Sequence, residues 1–476
     1  PRRRHRCRLQ RFQQLERLGA CPGNGLFGST WSCYGDSLCC MNKVFRPWKT
    51  DEIWLLPPSV ADFVPAGHPA HLIRDLVSEE LDLSAILGAY TEVKGYPPYH
   101  PAMMVALLLY AYRSGVYSSR RIARACEERL DFQAVTALNQ PDFRTISEFR
   151  RRHLNALSGL FVQVLALCRK AGLVGLDHVA VDGTKIKANA SKHKAMSYAR
   201  MVEAEAELAR EVAEWLSRAQ MEDAAEDAAH GSTRRGDEPP DWMRDKQARL
   251  ARIRAAKAEL EAEAQQAQAA RPAPPCDPDG NPKPRPGRVP QHPPGQPKPK
   301  AQRNFTDSES RIMKGRDGFI QAYNAQAAVD ADAQIIVAHR LTNNGSDQDA
   351  LLPLLDAVAE TTGEMPNEVS ADNGFCSEAN LEGLLNRKVR GYVAAGRASK
   401  PADGMKGGKL VQAMRARLRQ GGYRSRYRLR KYTVEPVFGH IKQARGFRQF
   451  LLRGIDKVKA EWAMICTAHN LAKLTR

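Results

Sequence analysis

This 476-residue sequence predicts a mixed α/β fold, with an all-helical region in front of it and a helical insertion inside it. Three observations carry that prediction. Residues 68–175 keep the three- and four-residue apolar spacing of packed helices, seen in His71, Leu72, Asp75, Leu76 and again in Met103, Val105, Leu107, Leu108. Beyond them, short β-prone runs at 178–191, 319–330, 334–340, 368–372 and 390–395 alternate, after an initial meander, with amphipathic helices such as 347–358. Between the first run and the others lies an Ala/Glu/Arg-rich stretch of helical period.

In the helical region, Ser118-Ser119-Arg120-Arg121-Ile122-Ala123 has the look of a capped, basic helix start. Thr145-Ile146-Ser147-Glu148 fits a capping box opening a long helix towards Cys168, with Arg150, Arg151 and Arg152 in its first half. An arginine-rich helical face either binds DNA in helix-turn-helix fashion or is a solvated surface. Charge alone does not separate the two, because it reports affinity for phosphate and not the reading of bases.

The insertion spans residues 192–315. Ala204, Leu208, Val212, Trp215 and Ala219 recur at helical steps, as do Leu250, Ile253, Lys257 and Leu260, and Gly231, Gly236 and Pro239-Pro240 interrupt them, which predicts a helical hairpin. Residues 271–300 are Pro-rich and basic and cannot form a packed core. The short link Ala331-Asp332-Ala333 then predicts an antiparallel strand pair.

The net charge of +19 points to a polyanionic partner. A membrane surface competes, but the longest apolar run, 102–112, is far short of the roughly 20 residues that span a bilayer. The expected setting is the cytoplasm. Residues 1–40 are Arg-rich, then Gly- and Cys-rich, and hold Cys7, Cys21, Cys33, Cys39 and Cys40; we expect Met41 to be the natural start, the alternative being a basic DNA-binding arm. With no CxxC pair or zinc-like spacing, the remaining Cys126, Cys168, Cys276, Cys376 and Cys466 are expected to be reduced thiols.

The candidate site starts from Asp182, which follows Val179-Ala180-Val181 and precedes Gly183. Asp-Gly after a strand is most often a turn. A second acid, Asp372, also ends a predicted strand and precedes a glycine turn, Asp372-Asn373-Gly374. The third is Glu435, in a helix that Thr433 would cap, with Glu435 and Pro436 in its first turn. Such a start can serve helix stability alone. From Met405 to Val434, however, there is no acid, while Arg415, Arg417, Arg419, Arg424, Arg426, Arg428, Arg430 and Lys431 crowd together with Tyr423, Tyr427 and Tyr432. A lone carboxylate emerging from that stretch suggests metal and phosphate at one place. Lys442, two helical turns on from Glu435, would share its face and reach a phosphate, or else be solvated. Three acids without His or Cys favour Mg²⁺ or Mn²⁺, two of which clamp the attacking and leaving oxygens of a phosphodiester.

VAVDGTKIKANAS, AYNAQAAVD, ADNGFCSEANL and YRLRKYTVEPVFGHIKQARGFRQFLLRG together resemble the landmarks of bacterial insertion-sequence transposases with an RNase H-like DDE domain, and residues 68–150 resemble the N-terminal domain of those proteins. The resemblance implies a mixed five-stranded sheet flanked by helices and interrupted after its first strand. The implied layout is an atypical extension at 1–40, a helical DNA-binding domain at 41–175, a catalytic domain at 176–191 and 316–476, and the inserted hairpin with its Pro-rich linker at 192–315. It implies that Asp182, Asp372 and Glu435 bind two catalytic Mg²⁺ or Mn²⁺ ions, and that Tyr427, Arg430, Lys442 and Lys185 grip phosphates. Four residues separate Arg430 from Glu435 where the family commonly has three, so Arg428 and Lys431 are alternative bearers of the arginine's role. The implied reaction cuts double-stranded DNA at terminal inverted repeats and joins the freed 3′-hydroxyls to target DNA, with a homodimer to pair the two ends and a location at the bacterial nucleoid. A nuclease without strand transfer and an inactive, transposase-derived DNA-binding protein are the rivals.

Overall fold

The computed structural model describes residues 59–90, 98–230, 241–270, 293–315, 318–396 and 408–475. The expectations for residues 1–40 and Met41, for Cys276, for the breakers between 231 and 240, and for most of the Pro-rich stretch lie outside them.

The helical region comprises α1 (Pro69–Glu79), α2 (Ser84–Leu87), α3 (Pro101–Arg113), α4 (Ser119–Glu128), α5 (Leu130–Thr136), α6 (Phe143–Arg152) and α7 (Leu154–Lys170). One device opens both α1 and α3: proline takes the first helical position, and the ring of the preceding histidine, His68 or His100, accepts the N–H of the following alanine. The apolar run noted in the sequence is α3, buried from Met104 to Tyr112. Two expectations are corrected. The capping-box helix starts earlier, at Phe143, because Asp142 accepts from the Arg144 and Thr145 amides at 2.5 and 2.8 Å. It also stops at Arg152 and restarts at Leu154, so no single helix runs on to Cys168.

The three arginines of α6 are used within the fold. Arg150 is buried and donates to Tyr112 Oη, Tyr117 O and Ser119 Oγ, each at 3.1 Å. Arg151 pairs with Glu148, and Arg152 lies over the Tyr90 ring while donating to Ala89 O at 2.6 Å.

The main sheet is built from β1 (His178–Lys187), β4 (Arg311–Gly315), β5 (Gly318–Asp330), β6 (Ile336–Thr342), β7 (Glu368–Ala371) and β8 (Arg390–Val393); β2 (Ala195–Ser197) and β3 (Gln302–Asn304) form a separate ribbon. β1 runs antiparallel to β5 and parallel to β7, and β7 is parallel to β8. β6 and β4 share the far edge of β5, β6 along residues 324–329 and β4 along 318–322. The result is five lanes, with β1 in the middle. The expected strand pair at 319–340 is β5–β6, and β4 shows that the sheet resumes before residue 316.

Helices α10 (Leu351–Thr362), α11 (Glu378–Asn386), α12 (Lys409–Gly421), α13 (Arg430–Gly439) and α14 (Ile455–Leu474) complete this part. α14 packs against α7, α3 and β6, so one hydrophobic core joins the helical region to the sheet. Buried Trp462 ties it to the central strands by donating to Gln326 O at 3.2 Å. The insertion is a hairpin of α8 (Tyr198–His230) and α9 (Asp241–Ala269) with its own small core of Met201, Leu208, Leu250, Ile253, Ala256 and Leu260. Among the described residues no helix is long and apolar enough to cross a membrane.

Candidate active site

Asp182 does not sit in a turn. β1 continues through it in register, pairing Asp182 with Ala327, Gly183 with Gln326 and Lys185 with Asn324. The strand therefore sorts its side chains by parity. Asp182 and Thr184 belong to one face, Gly183 and Lys185 to the other.

On the first face stands α13. It begins at Arg430, so Thr433 lies inside it, donating to Leu429 O at 2.9 Å, and Glu435 is mid-helix; the expected cap is corrected. The 3₁₀ turn Arg426–Leu429 feeds directly into it, which moves the start upstream of Thr433. Pro436, lacking an N–H, leaves the Tyr432 carbonyl without its helical donor, and Gln334 Nε2 supplies one at 2.7 Å. The helix then widens into a π turn at His440–Ala444. Lys442, on that turn, donates to Thr184 Oγ1 and, at 3.0 Å, to Lys185 O, so it reaches β1 and is not solvated.

Asp372 follows β7 and caps the turn Asn373–Phe375, accepting from Gly374 N at 2.8 Å. Because Val181 and Ala371 are register partners on adjacent parallel strands, Asp182 and Asp372 stand side by side where β7 ends and β1 runs on beyond it. Arg430 Nη2 binds Asp182 Oδ2 at 2.6 Å, and its Nη1 lies 3.8 Å from Glu435 Oε1. Asp182 and Arg430 are nearly buried, whereas the Glu435 side chain is half exposed.

Burial raises the Asp182 carboxyl above the usual aspartate range; Arg430 and the Gly183 amide oppose it, and Asp372 adds to it. Burial pulls Arg430 down, but Asp182 outweighs it and holds the guanidinium above its ordinary value. Burial lowers the Lys442 ammonium, Lys185 lowers it further, and Asp182 opposes both. Tyr427 lies close enough to Arg430 for its charge to be felt there. Arg428 and Lys431 are exposed on the arm, whereas Arg430 binds Asp182.

Among the described residues no three His, Cys, Asp or Glu side chains are gathered closely enough to hold a metal ion. The structure brings Asp182 and Asp372 together; Arg430 stands between Asp182 and the outlying Glu435. The chemistry of the pair nevertheless fits a hard divalent cation, being two oxygen ligands side by side, one of them raised by a burial that Arg430 does not fully offset.

The sequence reading passed over residues on the second face. Asp347, just before α10, accepts at Oδ1 from Asn324 Nδ2 (2.6 Å) and Gln326 Nε2 (2.9 Å), and its Oδ2 lies 3.1 Å from Lys185 Nζ. The one available signal was Asn324 and Gln326 at alternate positions in an otherwise apolar strand.

Two family profiles match the chain: a transposase domain (DUF772) over residues 58–152 and a transposase DDE domain over residues 405–475. The second match contains Arg430, Glu435 and Lys442; Asp182 and Asp372 lie outside both. No curated protein and no solved structure gives a significant match. The helical region and the arm that carries Glu435 are thus similar to a transposase domain and to a transposase DDE domain, in agreement with the resemblance seen in the motifs.

Proposed function

We propose that the chain is a DNA transposase of RNase H-like fold, whose acid edge cuts phosphodiesters at the ends of an insertion sequence and joins the freed 3′-hydroxyls to target DNA. The observation that carries this reading is the Asp182–Asp372 pair. Two carboxylates stand side by side where β7 ends beside β1, one of them shifted by burial and by the other, and Arg430 and Lys442 crowd around them. Concentrated negative charge ringed by cations suits a joint metal and phosphate ligand.

Asp182 and Asp372 would hold Mg²⁺ or Mn²⁺ as a pair of ions, with Glu435 completing the set. When bound, the ions activate water and neutralise charge developing on the phosphate. Arg430 and Lys442 orient that phosphate from the α13 side, Tyr427 flanks Arg430, and Lys185 reaches it from the other face of β1. Arg428 and Lys431, exposed on the arm, meet the neighbouring DNA backbone. Pairing two element ends calls for a homodimer, and the work belongs in the bacterial cytoplasm at the nucleoid.

The test is cleavage of supercoiled DNA carrying the element ends, with Mg²⁺ or Mn²⁺, by wild type and by Asp182→Asn, Asp372→Asn and Glu435→Gln. Metal-dependent nicks and joined products that these variants lose support the reading. Nicks without joined products reduce it to a nuclease, and binding without cutting under either metal replaces it with a DNA-binding protein.

A further inference from the structure

Both candidate acids are followed by a glycine, at Gly183 and Gly374, and neither glycine has a positive φ that would demand one. Space explains them. A methyl on Gly183 would come within 2.6 Å of Asp347 Oδ1 and 3.2 Å of Asn324 Oδ1. A methyl on Gly374 would meet Asp372 Oδ1 at 3.0 Å and the Asp347 Cβ at 3.6 Å. Gly183 thus leaves the room that a third carboxylate, Asp347, occupies, and Asp347 also lies within van der Waals reach of Gly374.

Asp347 is held there firmly. Its Oδ1 takes both amide donors from β5, and its Oδ2 binds the Lys185 ammonium. Asn324 and Gln326 are fully buried, and their carbonyl oxygens have no hydrogen-bond partner. Leaving buried acceptors unsatisfied carries a desolvation cost. The amides spend their N–H groups on Asp347 at that cost, which marks the orientation of this carboxylate as something the fold maintains.

We propose that Asp347 is a positioning residue of the site: it fixes the Lys185 ammonium near the end of β1 where DNA phosphate arrives, and Gly183 lacks a side chain to admit it. This rests on the reading above only in taking DNA phosphate as the ligand. Lys185 without Asp347 is a flexible four-carbon stem; with it, the ammonium is placed before the phosphate comes and loses less freedom on contact.

The sign of the effect distinguishes this from bulk electrostatics. Asp347→Asn makes the protein more basic, so charge alone predicts tighter DNA binding; loss of positioning predicts weaker. The experiment measures affinity of the full chain for a short duplex by fluorescence anisotropy across a salt series, for wild type, Asp347→Asn, Lys185→Met and the double variant, with melting curves to verify folding and DNA cleavage assayed in parallel. The expected result is about fivefold weaker binding for each single variant, a salt slope shallower by about one, and a double variant no weaker than Lys185→Met. Asp347→Asn binding as tightly as wild type or more so, or losses that add in the double variant, overturns the proposal. An unchanged affinity and slope for Lys185→Met overturns it even if Asp347→Asn fails to fold. Wild type that binds but never cuts sinks the transposase reading while the binding cycle still decides this one; wild type that does not bind DNA ends both.

Discussion

The pairing of β1 with β7 has an ionisable pair at each end, and the two ends are built on opposite principles. At the amino end His178 lies opposite Glu368 in register, with Nδ1 3.3 Å from Glu368 Oε2 and Nε2 2.9 Å from Ser370 Oγ. Tyr392 donates to Glu368 Oε1 at 3.4 Å, Arg390 lies 3.8 Å from the same oxygen and Arg426 reaches Oε2 at 2.6 Å, so with His178 one carboxylate has four partners. Burial lowers the His178 pKa and outweighs Glu368, which favours the neutral ring. At the carboxyl end two acids stand side by side and a single arginine touches one of them. Both arginines, Arg426 and Arg430, come from the same basic arm, four positions apart. The arm clamps both ends, but only at the carboxyl end do two acids stand together, among Arg430, Lys442 and Lys185. That pairing of acids is the feature on which the proposed function rests.

The comparison breaks most visibly if the acids turn out to be structural. Asp182→Asn and Asp372→Asn are each expected to reduce metal-dependent cleavage by about a hundredfold to a thousandfold while leaving the melting temperature unchanged or higher, since the first removes a carboxylate whose burial outweighs its pair with Arg430 and the second removes the like charge beside it. Melting curves that fall for both variants would contradict this.

Glu461 serves as a control, a buried acid away from both strand ends. It accepts from the Leu451 and Leu452 amides at 3.0–3.1 Å, and burial pushes it up to about 7. With the folded pKa above the unfolded one, its contribution is complete below about pH 4.5 and is lost as pH rises through about 7. Glu461→Gln should remove a pH-dependent term on the order of 2–3 kcal/mol, seen as a smaller loss of stability between pH 5 and pH 8 than in wild type. Parallel curves for the two proteins would refute the assignment.

At the satisfied end, Glu368→Gln is expected to cost about 2 kcal/mol of stability with cleavage per folded molecule nearly unchanged, as denaturant titration and the cleavage assay would show. Smallest of the set, Arg430→Lys should weaken cleavage about tenfold, because an ammonium cannot reproduce the two-pronged reach towards Asp182 and Glu435; full activity would mean that Arg428 or Lys431 carries the role instead.

How much of this the sequence disclosed depends on the range of the interaction involved. Asp182 and Asp372 were readable because a short apolar run followed by an acid and a glycine is a local pattern. Glu435 was readable as a candidate, but its helix start was misplaced: Thr433 resembles a cap and Pro436 a first-turn proline, and it takes the distant Gln334 amide to keep Pro436 inside a helix. Arg150 reads as one of three surface arginines, yet its partners Tyr112, Tyr117 and Ser119 come from other elements. Asp347 was read into an amphipathic helix that in fact begins at Leu351, and its place beside Gly183 and Gly374 follows only from the β1–β5 register and the way β7 ends. The glycines were visible, but their reason was not.

The central claim is that the paired acids Asp182 and Asp372 bind the divalent cation, and titration of Mn²⁺ onto the full chain, followed by electron paramagnetic resonance, tests it most directly. Wild type should bind, Asp182→Asn and Asp372→Asn should each lose most of the affinity, and Glu435→Gln, altering the outlying acid, should lose less. Mn²⁺ affinity in Asp182→Asn and Asp372→Asn equal to that of wild type would contradict the account.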